Sequence, residues 1–224
     1  MLNRESIIEI LNKAHQIDSE CELFGASRHQ YKLNPPISVS YVHDVEERYG
    51  FELPEDYFRF ITEIGDGGAG PDYGITEFTY LMRKGSSPGV DKFLEAYRYS
   101  LAKPFTPRPL KADELEEYAA IATKEAYERD PDKYFVYNKA DARDLCDTDG
   151  FYVLGTRGCQ WDFGLITAGE RRGQVFDTDN EGGYCFQAGS FEEFYRNWLE
   201  RISDMEWLNK ELEWWRSRLQ RNRR

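Results

Sequence analysis

Two short acidic runs have residue types that could bind a metal. Asp177-Thr178-Asp179-Asn180-Glu181-Gly182 begins like a calcium loop, in which alternating carboxylates face one cation. The twelfth position needs a bidentate Glu, and Ala188 stands there. Asp147-Thr148-Asp149-Gly150 is shorter still. Asp and Gly in such runs also suit plain turns, so no metal site is expected. Gly65-Asp66-Gly67-Gly68-Ala69-Gly70 has the letters of a dinucleotide loop. That loop must run from a strand into a helix whose N-terminus meets the pyrophosphate. Here a helical pattern precedes it, Pro71 follows, and Asp66 would repel phosphate, so no cofactor is expected. His15, His29 and His43 lack the spacing of a metal pair. Glu46 and Glu47, being consecutive, point apart on a helix. The reading is a binding protein without a catalytic constellation.

The charge narrows the choice of partner. The 224 residues carry a formal −12. Seven basic against four acidic residues between Arg201 and Arg224 leave that tail at +3 and the rest at −15. Such a field repels nucleic acid and anionic membranes and draws in basic proteins; solubility alone is the plainer explanation. The four cysteines, Cys21, Cys146, Cys159 and Cys185, lack the spacing of a zinc or redox pair, and three of them lie in apolar or aromatic stretches where a free Cys behaves as a small hydrophobe. With no signal-like start and no spanning apolar run, a cytoplasmic chain with reduced thiols is expected.

The elements follow from periodicity. Residues 3–17 read as an amphipathic helix, joined by a linker ending at Asn34-Pro35-Pro36. Ser38 or Ser40 caps a second helix that stops at Gly50, the place for a left-handed residue. Pro54 suits the first position of a third helix, in which Tyr57, Phe60, Ile61 and Ile64 form one stripe. Residues 91–99 and 112–129 read as helices, the latter with Leu115, Tyr118, Ala119 and Ala122 inward. Alternation predicts strands over 151–154, 161–167, 174–177 and 184–187. Ser190 and Glu193 make a capping box for a helix with Phe194, Trp198 and Leu199 inward. Met205, Leu208, Leu212, Trp215 and Leu219 then form a heptad seam, for packing within the chain, a homodimer or a partner groove. Trp207, Trp214 and Trp215 on this tail could also meet a partner. Helices, then antiparallel strands, then helices make an α+β protein.

The run from Val45 to Phe60, with Glu46, Gly50 and Leu53-Pro54-Glu55-Asp56-Tyr57, resembles the signature of the SMI1/KNR4 (SUKH) family. The glycine stretch with Gly67 and Gly68 resembles the family's following loop. Gly158-Cys159-Gln160-Trp161 through Gly173–Asp177 resembles its hairpin, and 190–199 its closing helix. The likeness spans about residues 36–200. It implies a domain over 34–202 with a mixed or antiparallel sheet flanked by helices, an added N-terminal helix and linker (1–33), and an added C-terminal helix (203–224). It also implies a function: many bacterial members are thought to be immunity proteins that bind and neutralise a cognate toxin, often a nuclease. Fungal members act through protein contacts in cell-wall signalling. The family has no established catalytic residues. A basic toxin suits the −15 surface, and the contact residues expected are Asp66, Asp72, Tyr73, Asp162, Asp177, Asp179 and Glu181, beside glycine turns; each alone also suits an ordinary solvated turn. A general scaffold protein, a small-ligand binder and an enzyme are the alternatives.

Overall fold

The computed structural model describes residues 2–115, 123–137, 149–159, 161–179 and 184–222. Its centre is a six-stranded, wholly antiparallel sheet: β1 (Arg108–Pro109), β2 (Tyr134–Val136), β3 (Phe151–Gly158), β4 (Trp161–Ile166), β5 (Gln174–Asp179) and β6 (Tyr184–Ser190). The order across it is β1-β2-β6-β5-β4-β3. The fold is thus α+β. Consecutive hairpins join β3 to β6, and β2 pairs with β6 at Tyr134↔Phe186.

Both faces of the central strands are covered, so their residues are apolar on both sides rather than alternating with polar ones. Tyr152, Leu154, Phe163, Leu165 and Val175 face the helices in the main core. Phe151, Ile166, Phe176 and Cys185 face the other way, under Phe105. This second layer explains why strand periodicity underestimates strand length. β3 runs four residues beyond the predicted Leu154, and β5 continues through Thr178 and Asp179. β1 and β2 were not anticipated, being too short for a period.

The helices are α1 (Arg4–Ile17), α2 (Ala26–His29), α3 (Val39–Tyr49), α4 (Glu55–Arg59), α5 (Phe78–Met82), α6 (Pro88–Ser100), α7 (Lys124–Arg129), α8 (Phe191–Ser203) and α9 (Met205–Asn222). Ser38 caps α3, and Gly50 closes it at φ 73°. Pro54 sits one position earlier than expected, as the N-cap of α4, and its carbonyl accepts from Phe58 N–H. α4 continues as a π-turn, Phe60–Ile64, closed by Gly65 N–H donating to Phe60 O at 2.8 Å. Tyr57, Phe60, Ile61 and Ile64 are all buried, as their stripe predicts. α6 starts earlier than residue 91, because Ser87 caps it and Pro88 occupies its first turn. The predicted helix over 112–129 is not one rod: Ala112–Glu114 is a 3-10 turn and α7 starts at Lys124. Tyr118, Ala119 and Ala122 lie outside the described residues, as does Cys146.

The first and the last helix both enter the main core. Ile7, Leu11 and Ala14 of α1 are buried there, with Leu208 and Leu212 of α9. Met205, the first residue of the predicted seam, is exposed at the start of α9. Cys159 is exposed too, at the β3–β4 turn, and is not a core filler. Within the described residues, no helix is long and apolar enough to cross a membrane.

Candidate functional site

The family-like motif is a corner of the core. Tyr57 is fully buried, and its hydroxyl donates to Tyr152 Oη at 3.2 Å. Its ring meets Phe191 edge-on at 4.9 Å. Asp56 accepts from Glu192 N–H at 3.0 Å, satisfying one of the free donors at the start of α8. Glu46 accepts from Leu53 N–H at 2.7 Å, holding the turn between α3 and α4. Leu53 is buried. Gly68 has φ 99°, and a Cβ there would stand 2.4 Å from Lys32 O. Gly67 is also left-handed, at φ 75°. The glycine run is therefore a tight crossing of backbones. Trp161 packs partly buried beside Leu110 and Tyr134.

Asp66 belongs to this framework, not to a contact surface. It is 4% exposed; one carboxylate oxygen accepts from Phe78 N–H at 2.7 Å, and the other from Thr79 N–H and its hydroxyl. Both oxygens are thereby spent on the first turn of α5. Asp179 is corrected as well: it lies buried within β5, and its carbonyl accepts from the Tyr137 hydroxyl. Asp162 sits half-buried on β4, opposite Thr178, whose hydroxyl donates to its carbonyl. Glu181 lies outside the described residues.

Two of the predicted acids do meet, in a groove of about 870 Å³ between the sheet, α8 and α9. Arg157, near the end of β3, donates from Nε and Nη2 to the two oxygens of Asp177, at 3.0 and 2.8 Å. Asp72 lies 3.6 Å from the same guanidinium. Burial pushes both carboxyls above the usual Asp range, and Arg157 opposes that shift. Asp177 is a strand residue with 8% exposure, so it is the buried anchor of an arginine and not a solvated turn acid.

Aromatic side chains wall the groove. Trp198 comes from α8, and Trp207 and Trp215 from α9. Trp215 stacks on Phe24 at 5.1 Å, and Phe24 packs against Tyr73 at 5.0 Å. Trp198 packs partly buried against the core, with Tyr195 at 5.4 Å, and also lines the groove. Trp215 Nε1 donates to Glu211, and Arg216 pairs with Glu22, which fixes α9 against the N-terminal linker. α8 serves two surfaces at helical spacing: Phe191, Phe194, Tyr195, Leu199 and Ile202 are buried in the core, and Trp198 and Arg201, together with Phe194, line the groove.

Arg157 and Arg201 escaped the sequence reading, because an arginine beside a glycine or late in a helix carries no local signal. The groove depends on chain crossings among residues near 24, 72, 157, 177, 198 and 215. Asp72, Asp177 and the tryptophans of α9 were the legible hints. A tethered guanidinium between aromatic walls can bind a planar or charged side chain of a partner.

No family model matches the chain, and no solved structure does. One stretch of 86 residues is 33% identical to the large ribosomal subunit protein uL3 of Caldivirga maquilingensis, covering 35% of this chain. The chain spans about a quarter of that protein's length, 25%. So partial a likeness assigns no family.

Proposed function

We propose that the chain is a protein-binding module of the SMI1/KNR4 (SUKH) kind, an immunity protein that neutralises a cognate toxin by direct, cytoplasmic binding. The observation that carries this reading is the groove. Tryptophan and arginine are enriched in binding hot spots, and here tryptophans line a groove around a guanidinium already held by Asp177. An arginine held in advance loses little freedom when a partner arrives. The formal −12 speeds the approach of a basic toxin, such as a nuclease. The family resemblance over Val45–Phe60 gives the same direction.

The groove's size also fits a small ligand, since ligand pockets run from about 300 to 1,000 Å³. The test is an affinity capture from the native organism at low and moderate salt, with wild type and Trp198→Ala as baits. One basic toxin held by wild type, weakened by salt and lost with Trp198→Ala supports immunity; co-expression then protects cells from that toxin. Many unrelated proteins held equally by both baits point to a scaffold, and none to a small-ligand screen of the groove.

A further inference from the structure

The C-terminal turn of α3 separates two hollows of opposite charge. On one side lies a hollow of about 760 Å³ with Glu46, Glu47 and Glu52 in its lining. Its one arginine, Arg172, donates to the carbonyls of Glu52 and Leu53. With His43 neutral, three carboxylates and one guanidinium leave it at −2. On the other side lies a hollow of about 550 Å³ lined by Arg48, Lys84, Lys92 and Arg98, against Asp91 and Glu95. Four cations and two carboxylates leave it at +2. Glu47 lines the first hollow and its neighbour Arg48 the second, so the two flank the same end of α3.

This positive island stands out on a chain of −12. It also gathers exposed apolar groups. Tyr80, Val90, Phe93 and Tyr99 lie in or beside α5 and α6, among the few large hydrophobics exposed in the described residues. Arg83 covers the Tyr80 ring at 4.3 Å. Tyr99 meets Tyr49 edge-on at 5.1 Å, at the lip of the positive hollow.

Adjacent patches of equal and opposite charge are self-complementary under a twofold rotation. An axis through the turn between them lays each positive hollow over the partner's acidic one, in the isologous arrangement of most homodimers. We infer that this face is a homodimer interface, its occupant a second copy of the chain, with the end of α3 near the axis. Glu47 and Glu52 of one copy meet Lys84 and Lys92 of the other, twice over, and Tyr99 supplies apolar contact between the two sets. The inference is independent of the toxin reading, since the Trp198 groove contributes no residue to either hollow.

A charge swap tests it. Sedimentation equilibrium of the wild-type chain gives a dimer at low salt that weakens towards about 0.5 M, as screening predicts. Lys84→Glu with Lys92→Glu makes one variant, and Glu47→Lys with Glu52→Lys the other. Each alone is monomeric, because like charges then face each other. Mixed in equal amounts they form a one-to-one heterodimer, because both contacts are again opposite in sign, and this recovery also shows that both variants are folded. A wild-type monomer at low salt overturns the inference. So does a dimer that both variants retain, which would place the contact elsewhere, on α9 among other surfaces.

Discussion

The Asp56–Tyr57 corner and the Arg157 groove press on the same helix, α8, and are built in opposite ways. At the corner every group is spent inside the fold: Asp56 on the start of α8, Tyr57 on Tyr152, Glu46 on the α3–α4 turn. In the groove, Asp177 holds an arginine whose side chain remains 39% exposed, between tryptophans that are only partly buried. The residues readable from the sequence thus build the scaffold, while the groove is made of residues that the scaffold assembles from distant segments. Loss of a corner residue should therefore cost stability, and loss of a groove residue should cost binding.

The largest expected effect lies in the corner. Tyr57→Ala empties a fully buried site among Phe60, Tyr152 and Phe191 and costs about 3–5 kcal/mol. Tyr57→Phe keeps the ring, loses one hydrogen bond, and costs about 1 kcal/mol. Urea unfolding of the two variants separates packing from hydrogen bonding; equal losses would refute the division.

Next comes pH, acting through a histidine behind the groove. His29 lies edge-on to Trp198 at 6.1 Å, and its Nδ1 accepts from Tyr31 N–H. Burial lowers its pKa from 6.5 to about 4, against the raising influence of Asp18. The neutral ring is the folded form, so its contribution is complete above the unfolded value of 6.5 and is lost as pH falls towards 4. Over that interval the loss approaches about 3 kcal/mol. His29→Gln should flatten the acid side of the stability curve there; an unchanged slope assigns the acid sensitivity to other groups.

The legibility of the chain follows the same division. Ser38, Gly50, Gly65 and the Ser190–Glu193 box were readable because capping chemistry is local: the residue and the group it satisfies lie within five positions. The Tyr57 stripe was readable because burial repeats along a helix. Asp66 and Asp177 looked like solvated turn acids, because a carboxylate beside glycine looks the same whether water or a distant donor satisfies it. Their partners, Phe78 and Arg157, stand 12 and 20 positions away. The groove joins segments from residue 24 to residue 215, and no window along the chain holds both.

A smaller effect distinguishes the two kinds of aspartate. Asp56→Ala leaves Glu192 N–H without its acceptor and costs about 1 kcal/mol, the usual worth of a helix cap. Partner binding should be unchanged once the protein is folded. A Kd that moves by more than a few fold at equal folded fraction would extend the binding surface to the corner.

A stability effect of the same small size, with the largest effect on binding, belongs to Arg157→Met. The substitution keeps much of the aliphatic stem and removes the charge that faces Asp72 and Asp177. A fully buried pair broken in this way loses about 3–5 kcal/mol, but the exposure of Arg157 admits water to both carboxylates, so about 1 kcal/mol is expected. Burial then acts without Arg157 to oppose it, with Arg201 still lowering Asp72 and Asp72 still raising Asp177, and both titrate higher than in the wild type. Their folded pKa values, already above the unfolded one, mean that the fold binds their protons more tightly. Their contribution to stability therefore grows as pH falls through the raised values towards 3.8, opposite in sign to His29. Carboxyl carbon NMR across that range reads both titrations. An Asp177 that titrates no higher in Arg157→Met than in wild type would show that the guanidinium is not what keeps the groove acid charged, and the tethered arginine would lose its claim as the groove's recognition element.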